Sequence, residues 1–491
     1  MRRAMLPRVG RHGRRAGSFF LSSRTSKERF ERLTPIEHVL RRPGMYIGSM
    51  AEQREPMWLL DAAGDATFVH REARYIPGLY KLFDEILVNA LDNRQRDPVG
   101  TDRIDVTIEP QTGCTTITNS GRGIPVERHA VEDVWVPEMV MGSLFTGSNF
   151  DDTEQRTVGG RHGFGAKLTN LFSKVFEVET ADSAAGLKYT QRWTRNMSER
   201  GEPRLVKLKP AAAKDYTTVR YTPDLERFGL TSLPADMVGL FHRRVHEAAA
   251  SAAPAKVHLN GKLLRIKGLS GLAPFYLGSG DGAGSARTVF ADLSERWEVG
   301  VALSPDSVGF QAVSMVNGVV TPRGGTHVNH VGGLLLPALC PLLSKSLKLP
   351  AGEELSPARL KPHLTLFVKA TVSNPEFDSQ SKERLTSAAP SFGGLCPMPD
   401  AFVKKVAALP GLKATLVDAI NERVNRQLAR KVRALCMCHA CMRKVRALCM
   451  CHACMRTHAG TRTRTHASPA RWAPPPGAGR WSMYQSWRTR S

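Results

Sequence analysis

Cysteine is scarce outside one short stretch of the sequence, and long apolar runs are missing. Six of the nine cysteines lie within residues 436–454, which leaves Cys114, Cys340 and Cys396 for the rest of the chain. Sparse cysteine of this kind is typical of a reducing compartment. Because no run of 18 or more apolar residues occurs, the sequence offers no candidate for a helix that spans a bilayer. We therefore expect no membrane partner.

Acidic residues are missing from both ends of the chain. Residues 1–27 contain eight Lys and Arg and residues 431–491 contain twelve, with no Asp or Glu in either segment. Subtracting these twenty from the 69 Lys and Arg of the chain leaves 49, against 45 acids, for residues 28–430. The net charge of +24 therefore belongs mostly to the two ends, which can attract DNA, RNA or anionic lipid. This charge alone does not make the middle of the chain a DNA-binding domain.

Charge and secondary-structure signals divide the chain into four segments. Residues 1–27 are predicted to be a basic disordered arm or a targeting segment. Residues 431–491 are predicted to be a low-complexity tail, because KVRALCMCHACMR occurs there twice in succession. Between them, helical and strand patterns alternate, as in an α+β or layered α/β protein. We place a first domain at 28–268 and a smaller second domain at 269–430.

One predicted helix carries a polar face. In GLYKLFDEILVNALDN, residues 78–93, the apolar residues recur at helical spacing, which predicts one buried face. Glu85, Asn89 and Asp92 share the opposite side. A carboxylate one turn before an amide can polarise a water molecule while the amide oxygen coordinates Mg²⁺. The alternative is that these residues form the solvated face of an amphipathic helix.

Two glycine-rich segments follow this helix. TNSGRGIP, residues 118–125, ends a predicted strand pair, and its glycines allow a tight turn beside a ligand. VGGRHGFGAKLTN, residues 158–170, runs directly into a helical pattern, so backbone N–H groups can bind phosphates there, and Lys167 adds a cation. Its spacing is neither that of a Walker A loop nor that of a dinucleotide-binding G-x-G-x-x-G.

Together these three segments resemble the ATP site of the GHKL superfamily, which includes gyrases, histidine kinases and MutL-type mismatch-repair ATPases. Within that superfamily the sequence is similar to eukaryotic-type (type IIA) DNA topoisomerase II. The resemblance covers about residues 30–430, through PGLYKLFDEILVNALDN, LFTGSNFDD, GGRHGFGAKLTN, VNGVVTPRGGTHVNHV and NPEFDSQSKERLT. It implies an α+β fold in which a GHKL-type ATPase domain, a mixed sheet backed by helices, precedes a βαβ-type transducer domain.

The resemblance also implies a role for each matching residue. Glu85 would be the general base and Asn89 the Mg²⁺ ligand, Asn119 would face the adenine, and Lys382 would reach the γ-phosphate from the second domain. The other implied ATP-binding residues are Gly147, Ser148, Asn149, Gly160, Arg161, His162, Gly163, Phe164, Gly165, Ala166, Lys167, Gln380 and Ser381.

Four of these positions depart from the usual family residues. Ser381 replaces a Thr, His162 an Asn and Phe164 a Tyr, whereas Gly147 replaces a Ser. The missing hydroxyl at Gly147 predicts a lower nucleotide affinity.

The acidic metal-binding motif and the Arg-Tyr nucleophile of a complete topoisomerase II do not occur in this sequence. We therefore expect ATPase activity without DNA cleavage, and we do not assign Tyr484 as a nucleophile. The cysteines and histidines of the tandem repeat could ligate zinc. However, their C-x-C-H-x-C spacing is unusual, and the identical repetition indicates low complexity.

The resemblance implies partners and a location as well. ATP and Mg²⁺ are the expected ligands, a homodimer is expected to form through the ATPase domain, and double-stranded DNA is the expected partner. The nucleus is the expected location, or a mitochondrion or plastid if the basic N-terminus is a transit peptide. Two alternatives are a stand-alone ATP-dependent DNA clamp or interaction module and a truncated, non-functional gene product.

Overall fold

A computed structural model describes residues 31–61, 67–144, 146, 157, 163–209, 214–278, 287–304, 309–347, 349 and 354–433. The chain divides into two compact units, one ending at Asp418 and the other beginning at Ala419. Helices and strands alternate throughout the first unit, and the predicted α+β fold is confirmed. No helix among the described residues is long and apolar enough to cross a membrane.

The first half of the first unit is built on a mixed sheet. Its order is β11-β10-β3-β4-β9-β5-β6-β7, with β8 also pairing with β6. The described strands are β3 Arg103–Ile108, β4 Thr115–Ser120, β5 Ser173–Asp182, β6 Leu187–Thr194, β7 Glu199–Arg200, β8 Arg204–Lys207, β9 Tyr216–Pro223, β10 Lys256–Leu259 and β11 Lys262–Leu264. Strands β10 and β3 are parallel, whereas β3 and β4 are the predicted antiparallel pair. A separate hairpin joins β1 Gln53–Leu60 to β2 Phe68–Tyr75.

Helices pack against this sheet and the hairpin. They are α1 Pro35–Arg41, α2 Pro77–Arg96, α3 Val136–Gly142, α4 Gly165–Leu171, α5 Ala235–Ala252 and α6 Gly268–Leu277. Helix α2 contains the predicted amphipathic stretch, begins with a proline at its first turn and ends before Pro98. It packs between α4, α5 and β4, with the Phe83 and Phe241 rings stacked at 4.3 Å between centroids. Because α2 is packed on several sides, polar residues such as Asp84, Glu85 and Asp92 are buried along with its apolar face.

A second sheet forms the later part of the first unit. Its order is β12-β13-β16-β14-β15, from β12 Thr288–Ser294, β13 Trp297–Leu303, β14 Gln311–Val316, β15 Val319–Val320 and β16 Leu364–Ala370. The helices of this part are α7 Thr326–Ser346, α8 Pro357–Leu360 and α9 Asp400–Ala407. Strands β14 and β16 are parallel and are connected through α7, which packs on β16. This crossover is the predicted βαβ arrangement.

The helical pattern of the sequence predicts one helix from Pro399 to about Arg430, and this prediction is wrong. Helix α9 ends at Ala407, and residues 412–433 are helical after an interruption. The interruption contains Pro410 and Gly411, and Gly411 adopts a left-handed φ of +86°. A proline followed by a glycine in this conformation ends a helix, because neither residue supports the regular backbone pattern.

We expect a buried histidine to make the second sheet region sensitive to acid. His327 in α7 is fully buried, and its Nε2 lies 3.2 Å from the Thr321 hydroxyl. Burial lowers the pKa of His327 to about 3. The unfolded chain, in which the histidine titrates near its ordinary value, therefore binds more protons between about pH 6.5 and pH 3. The contribution of His327 to stability is complete above that window and is lost as the pH falls through it.

We expect His327→Gln to reduce the loss of stability on acidification. The substitution removes the titrating group, which contributes at most about 1.4 kcal/mol per pH unit. Urea unfolding at pH 7 and pH 5 measures the difference. His70→Gln, at an exposed position, is the control. An equal loss of stability in wild type and His327→Gln would contradict a neutral buried His327.

Candidate active site

A cavity of about 380 Å³ lies against the polar side of α2. Its walls come from α2, β4, the turn after β4, α3, the start of α4 and the segment around Lys382. The predicted site residues that line it are Glu85, Asn89, Asn119, Gly163, Phe164, Gly165, Ala166, Lys167, Gln380 and Lys382. Ser381 instead lines a second cavity of about 410 Å³. Gly147, Ser148, Asn149, Gly160, Arg161 and His162 lie outside the described residues.

The polar face of α2 is not a solvated helix face, so that alternative is wrong. Glu85 is 5% exposed and Asp92 is 3% exposed, whereas Asn89 is half-buried and faces the cavity. Ordinary surface helices expose their charged residues. A buried carboxylate one turn from a cavity-lining amide therefore indicates a site.

Glu85 is the electrostatic centre of the cavity wall. Its Oε1 forms ion pairs with the Lys81 ammonium and with Lys382 Nζ, the latter at 3.6 Å. Burial by itself raises the pKa of Glu85, but the charges of Lys382 and Lys81 outweigh this effect and lower the pKa to about 2. Glu85 is therefore an ionised carboxylate in this structure. Sequence reasoning missed Lys81, although its position four residues before Glu85 places both on one helix face.

Lys382 reaches this carboxylate from the second half of the unit. Lys382 is 7% exposed, and its backbone has a left-handed φ of +60°, which is uncommon outside glycine. The amide of Lys382 donates to the Ser379 carbonyl at 3.1 Å, and the Arg323 side chain pairs with Glu383 at 2.9 Å. These contacts fix a turn whose lysine points into the cavity. Residues with strained backbone often lie at functional sites.

The start of α4 closes tightly over Glu85. A Cβ added at Gly165 would lie 1.9 Å from Oε2 of Glu85, so any larger residue there displaces the carboxylate. Lys167, two residues later in the first turn of α4, does not point freely into the cavity. Its ammonium donates to the carbonyls of Gly163, at 2.6 Å, and of Thr146. Burial lowers the pKa of Lys167 to about 8.

Asn119, the last residue but one of β4, also lines the cavity. It is 7% exposed, and its Nδ2 donates to the Ser120 carbonyl at 3.1 Å. The following turn depends on glycine, since Gly121 has a φ of +90° and a Cβ there would lie 2.4 Å from the Thr101 hydroxyl. The amide and its tight turn therefore face a wall that also includes Ile117 and Thr217, which sequence reasoning missed.

The oxygen atoms that line the cavity suit a Mg²⁺ ion that is bound mainly by the phosphates of a nucleotide. Among the described residues, no three His, Cys, Asp or Glu side chains converge on one point. Asn89 lines the cavity one turn after Glu85, and its side chain carries one amide oxygen. Mg²⁺ commonly takes one or two protein oxygens and completes its shell with phosphates and water. Asn89 therefore fits a Mg²⁺–nucleotide complex better than a site in which protein alone encloses the metal.

The fold and cavity define the class of ATPases to which the first half of the chain is similar. Residues 75–198 match the family of histidine kinase-, DNA gyrase B- and HSP90-like ATPases, and residues 274–434 match the DNA gyrase B family. The solved structure of the 43K ATPase domain of Thermus thermophilus gyrase B is 22% identical with a TM-score of 0.53, and it shares the fold. The GHKL ATPase fold expected from the sequence is therefore confirmed.

More similar relatives define the family. The ATPase region of Saccharomyces cerevisiae topoisomerase II is 36% identical, with 81% of this chain and all of that structure covered, and its TM-score is 0.73. The ATPase and transducer domains of DNA topoisomerase II from Balamuthia mandrillaris are 40% identical, with 82% and 100% covered, and the same TM-score. The chain belongs to the eukaryotic type II DNA topoisomerase family and corresponds to its ATPase and transducer region.

The match covers only part of the full-length relatives. DNA topoisomerase 2-alpha of Gallus gallus is 40% identical over 415 residues, which are 84% of this chain and 26% of the relative. DNA topoisomerase 2 of Candida glabrata is 37% identical over 83% of this chain and 29% of the relative. The chain spans between a quarter and a third of the length of these curated relatives.

Proposed function

We propose that this chain binds Mg²⁺–ATP in the cavity beside α2 and hydrolyses it. The observation that carries the proposal is the meeting of Glu85 and Lys382 at one wall of that cavity. Attack of water on a terminal phosphate is promoted by a carboxylate that accepts the proton of the water and by a cation that stabilises the phosphate charge. The residues lie nearly 300 positions apart, so the pairing is a property of the fold.

Each group has a definite part in the proposed reaction. Glu85 accepts a proton from water as the water oxygen attacks the γ-phosphorus and the bond to ADP breaks. Lys382 leaves Glu85 and stabilises the negative charge of the γ-phosphate. Asn89 would hold a Mg²⁺ ion, which would neutralise charge on the phosphates, and Asn119 would bind the adenine. Gln380 and the segment from Gly160 to Lys167 enclose the triphosphate, with Ser148 and Asn149 near the ribose and phosphates.

We further propose that this ATPase operates a dimeric gate on double-stranded DNA. ATP would close the ATPase domains of two chains around a DNA segment, and hydrolysis would reopen them, as part of strand passage by a type II topoisomerase. The family supports this role, since the relatives are topoisomerases. The site of action would be the nucleus. The proposed division is an ATPase domain at 28–268 and a transducer domain at 269–430.

Nucleotide titration of Asn119→Ala tests the proposed binding mode. The substitution removes a buried amide that lines the cavity. We expect ATP affinity to fall by about tenfold, which corresponds to one lost hydrogen bond. Fluorescence titration with a labelled ATP analogue measures the affinity, with unlabelled ATP as competitor.

Thr118→Ala is the matched control for this titration. Thr118 is the neighbouring residue of β4, and its hydroxyl contacts Thr218 at 2.9 Å instead of lining the cavity. We expect its affinity to equal that of wild type. No measurable ATP binding by the wild-type chain would contradict the proposed function, whereas equal binding by Asn119→Ala would contradict only the adenine assignment.

A further inference from the structure

Two buried lysines share the carboxylate of Glu85, and only one of them lines the ATP cavity. Lys382 and Glu85 line the cavity of about 380 Å³. Lys81 is 4% exposed and lines the second cavity, of about 410 Å³, together with Ser381 and Glu383. Lys81 therefore contacts Glu85 from the side of α2 that faces away from the nucleotide.

The surrounding charges leave Glu85 as the principal partner of Lys81. The neighbouring carboxylate on α2, Asp84, is held by the buried Arg244 guanidinium at 2.6 Å. Lys382, across Glu85, repels Lys81 because the two cations face the same oxygen. The ammonium of Lys81 thus gains most of its compensation from Glu85, and its burial would be costly without that carboxylate.

The two lysines become unequal when nucleotide binds. In the proposed function Lys382 moves to the γ-phosphate, which removes one of the two cations from Glu85. Lys81 is tied to α2 one turn before Glu85 and has no such second role. A buried carboxylate without a cation beside it is free to change rotamer and loses the alignment that water attack requires.

We propose that Lys81 is a positioning residue for ATP hydrolysis: it holds the Glu85 carboxylate in place from behind the site after Lys382 has left. This inference rests on the proposed function of the same site. In this proposal Lys81 does not contact ATP, and the two lysines have different roles. Lys382 acts on nucleotide and carboxylate, whereas Lys81 acts on the carboxylate alone.

We expect loss of the Lys81 ammonium to slow ATP hydrolysis without weakening ATP binding. Lys81→Met keeps the length of the side chain and removes the ammonium. We expect kcat for ATP hydrolysis to fall by about 10²-fold, the size of a misplaced catalytic group, while the affinity for ATP changes by less than about threefold, since Lys81 does not line that cavity. Lys174→Met, which breaks the exposed pair with Glu226, is the control and should leave both quantities unchanged.

Chemical rescue separates positioning from a structural role. Lys81→Ala leaves space that is continuous with the second cavity, so a protonated alkylamine can take the place of the lost ammonium. We expect n-propylammonium to raise the kcat of Lys81→Ala in a saturable way and 1-propanol to have no effect. Thermal unfolding of both variants, with and without ATP, shows whether the chain is folded.

The outcomes distinguish this inference from the proposed function. Absence of ATP hydrolysis by wild type would overturn the proposed function. Hydrolysis by wild type with unchanged kcat in Lys81→Met would overturn the role of Lys81 alone. A folded Lys81→Ala that binds ATP, hydrolyses poorly and gains nothing from n-propylammonium would also overturn it.

Discussion

Glu85→Gln is expected to stop ATP hydrolysis while ATP still binds. The amide keeps the size of the carboxylate but cannot accept the proton of the attacking water, and loss of a general base costs about 10²- to 10⁴-fold in rate. Phosphate release at saturating ATP measures kcat, and titration with a non-hydrolysable analogue measures affinity. We expect kcat to fall within that range and the affinity to stay near that of wild type, because Asn89 and Asn119 remain in place.

The control for this prediction is another ion-paired glutamate outside the cavity. Glu226 pairs with Lys174 at 2.6 Å on the surface, and Glu226→Gln should leave turnover unchanged. Normal hydrolysis by Glu85→Gln would show that the buried carboxylate is structural and that another group activates the water.

Lys382→Ala is expected to lower turnover, nucleotide affinity and ATP-dependent dimerisation together. Lys382 belongs to the later part of the first unit, and its side chain lines the proposed ATP cavity, where it pairs with Glu85. Loss of a charge-assisted contact to phosphate weakens binding, and loss of the same contact in the transition state lowers kcat. We expect each effect to be about tenfold or larger. Light scattering with a non-hydrolysable ATP analogue measures the dimer.

Arg384→Ala is the matched control, because Arg384 belongs to the same turn and its side chain is exposed. It should resemble wild type in all three measurements. Dimerisation of Lys382→Ala at the wild-type analogue concentration would contradict a role for this lysine in closing the gate. Unchanged turnover would contradict its contact with the γ-phosphate.

The sequence predicted the elements that depend on local pattern. Helical period predicts α2, and strand patterns predict the β3–β4 pair, close to their observed bounds. Alternating apolar residues over 297–303 and the apolar stretch 363–372 likewise predict β13 and β16. The glycine spacing identified the turn after β4, where Gly121 requires a left-handed backbone. The sequence also contains a signal for the break before the last helix, because Pro410 and Gly411 are adjacent. The helical pattern on both sides of this pair nevertheless predicts a single helix.

Local sequence patterns do not predict the long-range contacts that form the site. Helical periodicity places Lys81 near Glu85, but it does not show that α4, α5 and the second sheet region bury both side chains. The same limit applies to Lys167, predicted as a phosphate cation and found with its ammonium on two backbone carbonyls. The meeting of Lys382 with Glu85 followed only from the family resemblance, because residues so far apart share no sequence period.

The most direct test of the account is a crystal structure of this chain with Mg²⁺ and a non-hydrolysable ATP analogue. We expect the triphosphate in the cavity beside α2, Mg²⁺ on the Asn89 amide oxygen, and Lys382 Nζ within hydrogen-bond distance of the γ-phosphate. Glu85 should keep its ion pair with Lys81 and lose the one with Lys382, whose Nζ lies 3.6 Å from Glu85 Oε1 in this structure. Nucleotide bound elsewhere, or bound there with Lys382 still on Glu85, would contradict the account.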